Sequence, residues 1–214
     1  MYSIPSADSD NVLCGIDVVN VVSVRQKILL TGTCWYELTG LWSLLSDSGY
    51  DVYRVPLGYT CSREGWDLII VALSAEPVAG WGRHLSSICE VRAEMSGEML
   101  VLVPERLEML KVLRNICPVY SGCMPLSDLE RTVRMALNIK SLRAGKFRLT
   151  SGQRLALKRL SERGRVRPLN QSERGLYWHY ARLAENVGVR DFKMLLMTGL
   201  DKVVHKMEKP QYGQ

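Results

Sequence analysis

The stretch Trp66-Asp67-Leu68-Ile69-Ile70-Val71-Ala72-Leu73 decides the fold, because it is apolar at every position from Leu68 onward. A strand that is buried on only one face alternates apolar and polar residues. A strand that helices cover on both faces is apolar throughout. We therefore predict that residues 67–73 form the central strand of a parallel sheet.

Similar segments flank this strand and alternate with segments in which apolar residues recur every three or four positions. The predicted strands are 27–31, 50–57, 67–73, 99–103 and 119–124, and the predicted helices are 35–48, 85–95, 106–115 and 126–140. Five strands alternating with helices predict the α/β class, with right-handed crossovers and an open, doubly wound parallel sheet.

Charge divides the chain into two parts. Residues 1–140 contain 12 Lys/Arg and 16 Asp/Glu, whereas residues 141–214 contain 16 and 6, so the overall charge of +6 splits into about −4 and +10. A basic domain of this kind attracts polyphosphate, which makes nucleic acid the predicted partner, with a solvated basic surface as the alternative. The predicted segments are an arm at 1–24, the α/β domain at 25–140, a linker at 141–148 and a small all-α domain at 149–214.

Composition also excludes several classes of protein. Six cysteines occur without a C-x-x-C pair and only three histidines are present, so reduced thiols are expected rather than disulfides or a metal site. The chain has no basic-then-apolar leader and no run of eighteen apolar residues, which predicts a cytoplasmic protein with no membrane partner. No P-loop, dinucleotide-binding turn or Ser/His/Asp spacing is present, so we predict no enzyme activity, catalytic residue or cofactor.

The basic part begins with a helix-starting signal. Thr150 followed three residues later by Gln153 predicts a capping box. The helix that follows is predicted to turn Leu155, Leu157 and Leu160 inward.

A second helix is predicted from Ser172 to Asn186, with Ser172 as its N-cap and Gly188 as a left-handed cap at its end. Its spacing places three apolar residues inward, namely Leu176, Leu183 and Val187. The positions predicted to face outward are Glu173, Arg174, Tyr177, Trp178, Tyr180, Ala181 and Arg182.

This region resembles the recognition half of a LuxR-type helix-turn-helix. The matching positions are Leu169 and Ser172 at the turn, Leu176 and His179 at the helix opening, and Leu183, Gly188 and Val189 at its end. The resemblance implies a bacterial transcription regulator whose helix enters the major groove of promoter DNA. Base contacts are expected from Arg174, Tyr177, Trp178 and Ala181. Phosphate contacts are expected from Arg182, Arg190 and Lys193, and from the backbone amides at the helix start near Ser172. His179 is expected either to pack within the domain or to bond to a phosphate.

The segment before this helix is shorter than in the family. Only four residues, 165–168, separate Gly164 from Leu169, so the family's positioning helix is largely missing and assisted DNA binding is expected. A closing helix is predicted after Asp191, from Met194 through Val203, and the resemblance implies that it supports dimer contact.

The predicted α/β domain, residues 25–140, is similar to a response-regulator receiver domain. The family's acceptor aspartate falls on Ala72, its acidic pair on residues 31–33 and its lysine on Met124, so the resemblance implies a domain that acts without phosphorylation. Asp67 and Glu76 flank the sheet centre and are expected to be solvated.

The whole chain resembles auxiliary regulators that pair with the response regulator RcsB. This implies a homodimer, or a heterodimer with another response regulator, on double-stranded DNA. The alternative is a regulator-like protein that binds and antagonises another transcription factor without docking on DNA.

Overall fold

A computed structural model describes residues 25–59, 65–138, 147–163 and 174–208. The strands are β1 (Lys27–Gly32), β2 (Asp51–Pro56), β3 (Leu68–Ala72), β4 (Glu98–Val103) and β5 (Val119–Ser121). The helices are α1 (Trp35–Asp47), α2 (His84–Glu94), α3 (Lys111–Arg114), α4 (Leu126–Asn138), α5 (Ser151–Arg163), α6 (Arg174–Val187), α7 (Phe192–Thr198) and α8 (Leu200–Glu208). Short 3₁₀ turns lie at Trp81–Arg83 and Glu105–Leu107. The predicted arm at 1–24 and most of the predicted linker lie outside the described residues.

The five strands form one parallel sheet in the order β2-β1-β3-β4-β5. β3 is central and all five of its residues are buried, as its unbroken apolar sequence requires. This is the strand order of the flavodoxin-like doubly wound folds, in which the carboxyl ends of the strands form the usual functional edge. The predicted α/β, receiver-like fold class is confirmed.

Alternate residues of the strands enter two different cores. Ile28, Leu30 and Ile70 pack under α1 and α4 on one face of the sheet. Leu29 and Ile69 face the opposite side, where α2 and α3 lie. Because successive strand residues point to opposite faces, both layers are fixed by the same short strands.

The second core extends beyond the sheet domain. We call residues 25–138 the front domain and the described residues 147–208 the C-terminal lobe. Leu183, Leu195 and Leu200 of the lobe are fully buried in the same cluster as Trp81 and Leu107 of the front domain. The lobe therefore packs directly on the α2 and α3 side of the front domain through an apolar contact.

Three glycines lie where the backbones of the front domain and the C-terminal lobe approach closely. The Gly80 N–H donates to the carbonyl oxygen of Met197 at 2.9 Å. A Cβ atom on Gly82 would lie 2.9 Å from both the Leu200 nitrogen and the Thr198 oxygen. Gly188, at the end of α6, similarly leaves no room for a Cβ atom against the backbone of Met109 and Lys111.

Three sequence predictions for the helices and strands are wrong. The segment 106–115 is not one helix but the turn Glu105–Leu107 followed by the four-residue α3. The break coincides with the close approach of Gly188, and Arg114 Nε donates to the carbonyl oxygen of Glu108 at 3.1 Å where the helix is interrupted. The last strand ends at Ser121, three residues early, because the chain turns at Gly122 and Cys123.

The third error concerns the closing helix. It is two helices, α7 and α8, separated by Gly199 in a left-handed conformation with φ of 71°. Leu195 and Leu200 are buried in the core that the lobe shares with the front domain. Two apolar residues of the predicted closing helix are thus covered within the chain, while Met197 between them is 42% exposed.

Candidate nucleic-acid interface

Gln153 fixes the start of α5 and ties α5 to α6. The Thr150 N–H donates to Gln153 Oε1 at 2.9 Å, and the Gln153 N–H donates to Thr150 Oγ1 at 3.3 Å, which confirms the predicted capping box. The Gln153 amide also donates to the carbonyl oxygen of Arg182 at 3.1 Å and accepts from Asn186 at 3.2 Å. These bonds set the orientation of the second half of α6.

The inward face of α5 differs from the prediction. Ala156 and Leu157 are buried, whereas Leu155 is 46% exposed. The buried stripe starts at Gln153 and continues through positions 156, 157 and 160, which is the i, i+3, i+4, i+7 spacing of a helix face. Leu155 falls outside that stripe, so its predicted inward position is wrong.

α6 has one buried face. Leu183 and Val187 are fully buried, as predicted, and Ala184 joins them. Gly188 follows with φ of 91°, which confirms the predicted left-handed cap. Tyr180 was expected on the outside but is buried and stacks on Phe192 with ring centroids 4.6 Å apart. Its position, three residues before Leu183, places it on the buried stripe.

The opposite face of α6 is exposed. Tyr177 and Trp178 are 63% and 59% exposed, and Ala181, Arg182 and Glu185 are exposed beside them. These positions share one stripe along the helix, with spacings of one, four, five and eight residues from Tyr177. Four of the predicted contact residues therefore lie together on a surface that the front domain leaves uncovered.

Arg182 is held along this surface rather than directed away from it. Its Nη1 lies 2.7 Å from Glu185 Oε2, and its guanidinium carbon lies 5.4 Å from the centroid of the Trp178 ring. Exposed pairs of this kind contribute about 0–1 kcal/mol, so phosphate can compete for the guanidinium. In the free protein, however, the cation is engaged.

His179 does not belong to the exposed face. Its ring packs against Gly152 at the start of α5, so closely that a Cβ atom on Gly152 would overlap the imidazole. The Trp178 ring meets it edge-on, with centroids 5.1 Å apart. Of the two roles expected for His179, the structure shows packing, against Gly152 and Trp178.

Two further predicted contacts lie at the turn between α6 and α7. Arg190 and Lys193 are exposed there. Arg190 Nε lies 3.0 Å from Asp191 Oδ2, and the other oxygen of Asp191 accepts the Met194 N–H at 2.8 Å. The bond from Met194 is the main cause of a lowered pKa at Asp191, with Arg190 as the second. Asp191 is thus an ionised N-cap of α7, and the exposed cations Arg190 and Lys193 lie beside it at the turn that follows α6.

Other predicted positions fall at the start of α6 and before it. Arg174 begins α6, but its side chain and the whole of Ser172 lie outside the described residues, as does the shortened segment 165–168. On α5, three basic residues are exposed, namely Arg154, Lys158 and Arg159.

In the front domain, the carboxyl ends of the strands carry a polar cluster that sequence reasoning missed. Glu76 was expected to be solvated, but its carboxylate accepts a hydrogen bond from Thr33 Oγ1 and one from Arg83 Nη2 at 2.8 Å. Hydrogen bonding from Thr33 is the main reason that the pKa of Glu76 is lowered. Asp67 lies at the opposite edge and accepts the Lys27 N–H at 2.7 Å.

His84 completes this cluster. Its Nε2 lies 3.1 Å from Arg83 Nε and 3.2 Å from Glu76 Oε2. The same ring nitrogen thus faces a guanidinium and a carboxylate. Burial is the main reason that the pKa of His84 is lowered, and the Glu76 carboxylate opposes this effect.

A second carboxylate holds the loop after β3. Glu37 Oε1 accepts from the Ser74 hydroxyl at 2.5 Å and from the Ser74 N–H at 3.1 Å, while Oε2 accepts from the Ala75 N–H at 3.2 Å. Ala72, at the end of β3, is fully buried and contributes no polar side chain. The acidic groups of this edge therefore bond to neighbouring protein groups.

The described residues contain no group of three or more His, Cys, Asp or Glu side chains that could hold a metal ion. No described helix is long and apolar enough to cross a membrane. Cys34, Cys89, Cys117 and Cys123 are free thiols, and burial raises the pKa of Cys117 to about 12. The other two cysteines lie outside the described residues.

Comparison with known proteins gives structural similarities only. No family model matches the sequence, and no curated protein matches it. A two-component response regulator from Clostridium difficile is similar with a TM-score of 0.42 and 17% identity, over 55% of this chain and 100% of that one. The response regulator ChrA of a heme-sensing two-component system is similar with a TM-score of 0.38 and 14% identity, over 84% of this chain and 98% of that one. The fold class of this chain is established by its own strand order and register.

Proposed function

We propose that this chain is a cytoplasmic transcription regulator that binds double-stranded DNA through the exposed face of α6. The observation that carries the proposal is the stripe Tyr177, Trp178, Ala181 and Arg182, which is exposed on a helix whose other face is buried. The major groove of DNA is wide enough to admit an α-helix that is packed against its domain on one side and exposed to solvent on the other. The net charge of about +10 on residues 141–214 favours approach to the phosphate backbone.

The front domain is proposed to act without phosphorylation and without a cofactor. Ala72 ends the central strand, and the nearby carboxylates of Glu37 and Glu76 are occupied by hydrogen bonds from the protein. A magnesium ion would need free acidic oxygens at this edge. The same arrangement offers no evident nucleophile with an activating base, so the proposal includes no enzyme activity.

The front domain is also proposed to pair with a second regulator, either another copy or a response regulator. The exposed side of α1 carries Trp35, Tyr36 and Trp42, and the guanidinium of Arg54 lies 4.7 Å and 4.6 Å from the two tryptophan rings. Tryptophan, tyrosine and arginine are enriched at protein interfaces. Pairing here would leave the contact between α8 and the front domain intact.

A protein antagonist is the second candidate function. Tyr177 and Trp178 would also suit a protein interface, and Arg182 is already engaged by Glu185. In that case the exposed face of α6 would bind another transcription factor instead of DNA.

Charge reversal beside α6 tests the DNA proposal. We expect the double variant Arg190→Glu and Lys193→Glu to bind a mixed-sequence duplex at least about tenfold more weakly than the parent at low salt, because phosphate contacts dominate such binding. The slope of log K against log salt concentration should fall by about one for each phosphate that the variant no longer neutralises. Fluorescence anisotropy over a salt series measures both quantities.

A matched control is available in the front domain. Arg131→Glu with Arg134→Glu changes the net charge equally at two exposed positions on α4, which packs on the sheet face opposite to the C-terminal lobe. Equal losses in both double variants would mean that binding follows overall charge, and undiminished binding in the first variant would refute the proposed interface.

A further inference from the structure

The exposed face of α6 is poor in hydrogen-bonding groups that distinguish bases. Tyr177 offers one hydroxyl, Trp178 offers a single donor, and Ala181 offers only a methyl group. Guanine is usually read by a bidentate arginine or lysine, and adenine by a bidentate asparagine or glutamine. Among the exposed side chains that the structure describes on this face, only Arg182 belongs to those types.

The candidate hydrogen-bonding readers in the second half of α6 are Arg182, Glu185 and Asn186, and each is engaged within the protein. Arg182 pairs with Glu185 at 2.7 Å and lies over the Trp178 ring. Asn186 donates to the carbonyl oxygen of Arg148 at 3.1 Å and to Gln153 Oε1 at 3.2 Å. Asn186 is therefore fixed towards α5 and cannot reach a base without breaking the contact between the two helices.

Tyr177, Trp178 and Ala181 present two aromatic rings and a methyl group on the exposed face. Ala181 follows Tyr177 by four residues and Trp178 by three, which makes all three neighbours on the helix surface. The Ala181 methyl group therefore lies beside two exposed aromatic side chains. The thymine C5-methyl is the apolar group that the major groove presents, and alanine and aromatic side chains are its usual contacts. We propose that α6 reads thymine methyl groups through Tyr177, Trp178 and Ala181. This inference rests on the proposed function.

The test removes the methyl groups from DNA. Duplexes enriched by the full chain from a random-sequence pool are resynthesised with deoxyuridine in place of thymidine, one enriched position at a time. Each contacted methyl should contribute about a fourfold change in affinity, the effect of burying one such group. A parallel set carries 7-deazaguanine, which lacks the N7 acceptor that an arginine would use.

A protein variant shows whether α6 is responsible. In Ala181→Gly, the loss of affinity caused by deoxyuridine should become smaller at one enriched position, because the Ala181 methyl group that contacts the thymine methyl has been removed. Leu155→Ala, which shortens an exposed side chain on α5, should leave that penalty unchanged.

The outcomes separate this inference from the function on which it rests. Equal binding of thymidine and deoxyuridine duplexes, with weaker binding of the 7-deazaguanine set, would overturn methyl readout while DNA binding stands. Failure to enrich any duplex while a mixed-sequence duplex is still bound would overturn methyl readout alone, whereas failure to bind any duplex would overturn the proposed function and this inference with it.

Discussion

Gly188→Ala is expected to destabilise the protein and to loosen the C-terminal lobe from the front domain. The residue has φ of 91°, a conformation that costs an alanine roughly 1–2 kcal/mol. Its new Cβ atom would also overlap the backbone of Met109 and Lys111, and such overpacking costs typically about 1–3 kcal/mol more. Urea denaturation should show the summed destabilisation, and hydrogen exchange should show weakened protection in α3 and α6.

Gly199→Ala is the matched control for this prediction. Gly199 has φ of 71° but nothing within 4 Å of its added Cβ atom, so the variant should show only the conformational part of the destabilisation. If both variants were destabilised equally and kept the same exchange protection, the close approach of the two parts through Gly188 would be wrong.

Trp81→Ala is expected to cost about 3–5 kcal/mol, the usual range for removing a fully buried aromatic side chain. Trp81 belongs to the core that includes Leu195 and Leu200 of the lobe, and its Nε1 donates to the carbonyl oxygen of Leu73 at 3.4 Å. A cavity at this position would destabilise both the front domain and its contact with α8. The change in the free energy of unfolding is measured by chemical denaturation followed by circular dichroism.

Trp178→Ala provides the contrast, because Trp178 is 59% exposed. Its contacts with His179 and Arg182 are at the surface, so a destabilisation of no more than about 1 kcal/mol is expected. The order of the two effects is the critical observation. A larger destabilisation in Trp178→Ala than in Trp81→Ala would contradict the assignment of one tryptophan to the core and the other to the interface.

Local sequence signals were sufficient for much of the fold. The apolar run at 68–72 identified the central strand, Thr150 and Gln153 identified the start of α5, and Gly188 identified the end of α6. Each of these features depends on residues within a few positions of one another. Such short-range relations leave a readable pattern in a single sequence.

Local sequence patterns do not predict the long-range contacts. The docking of the lobe depends on Gly82 and Gly188, whose neighbours in space are distant in sequence. The bonds from Thr33 and Arg83 to Glu76 likewise join separate loops at one edge of the sheet. Nothing in the local sequence distinguishes these residues from solvated ones, so an acidic residue after a strand was assigned to solvent.

The exposed and buried faces of α6 were predictable in part. Helical spacing placed Tyr177, Trp178 and Arg182 outward, as the structure does. It misplaced Tyr180, because a tyrosine between polar neighbours resembles a surface residue until the position of Phe192 is known. The i, i+3, i+7 spacing of Tyr180, Leu183 and Val187 places all three on one face of the helix.

Site-specific photocrosslinking at position 177 tests the central claim most directly. Tyr177 is replaced by the photoreactive residue benzoylphenylalanine in the full chain, with the same replacement of Tyr36 on the exposed side of α1 as the control. After irradiation of living cells, position 177 should crosslink to duplex DNA and position 36 should not. Crosslinks from position 177 to protein alone would contradict DNA binding through α6 and would favour the antagonist.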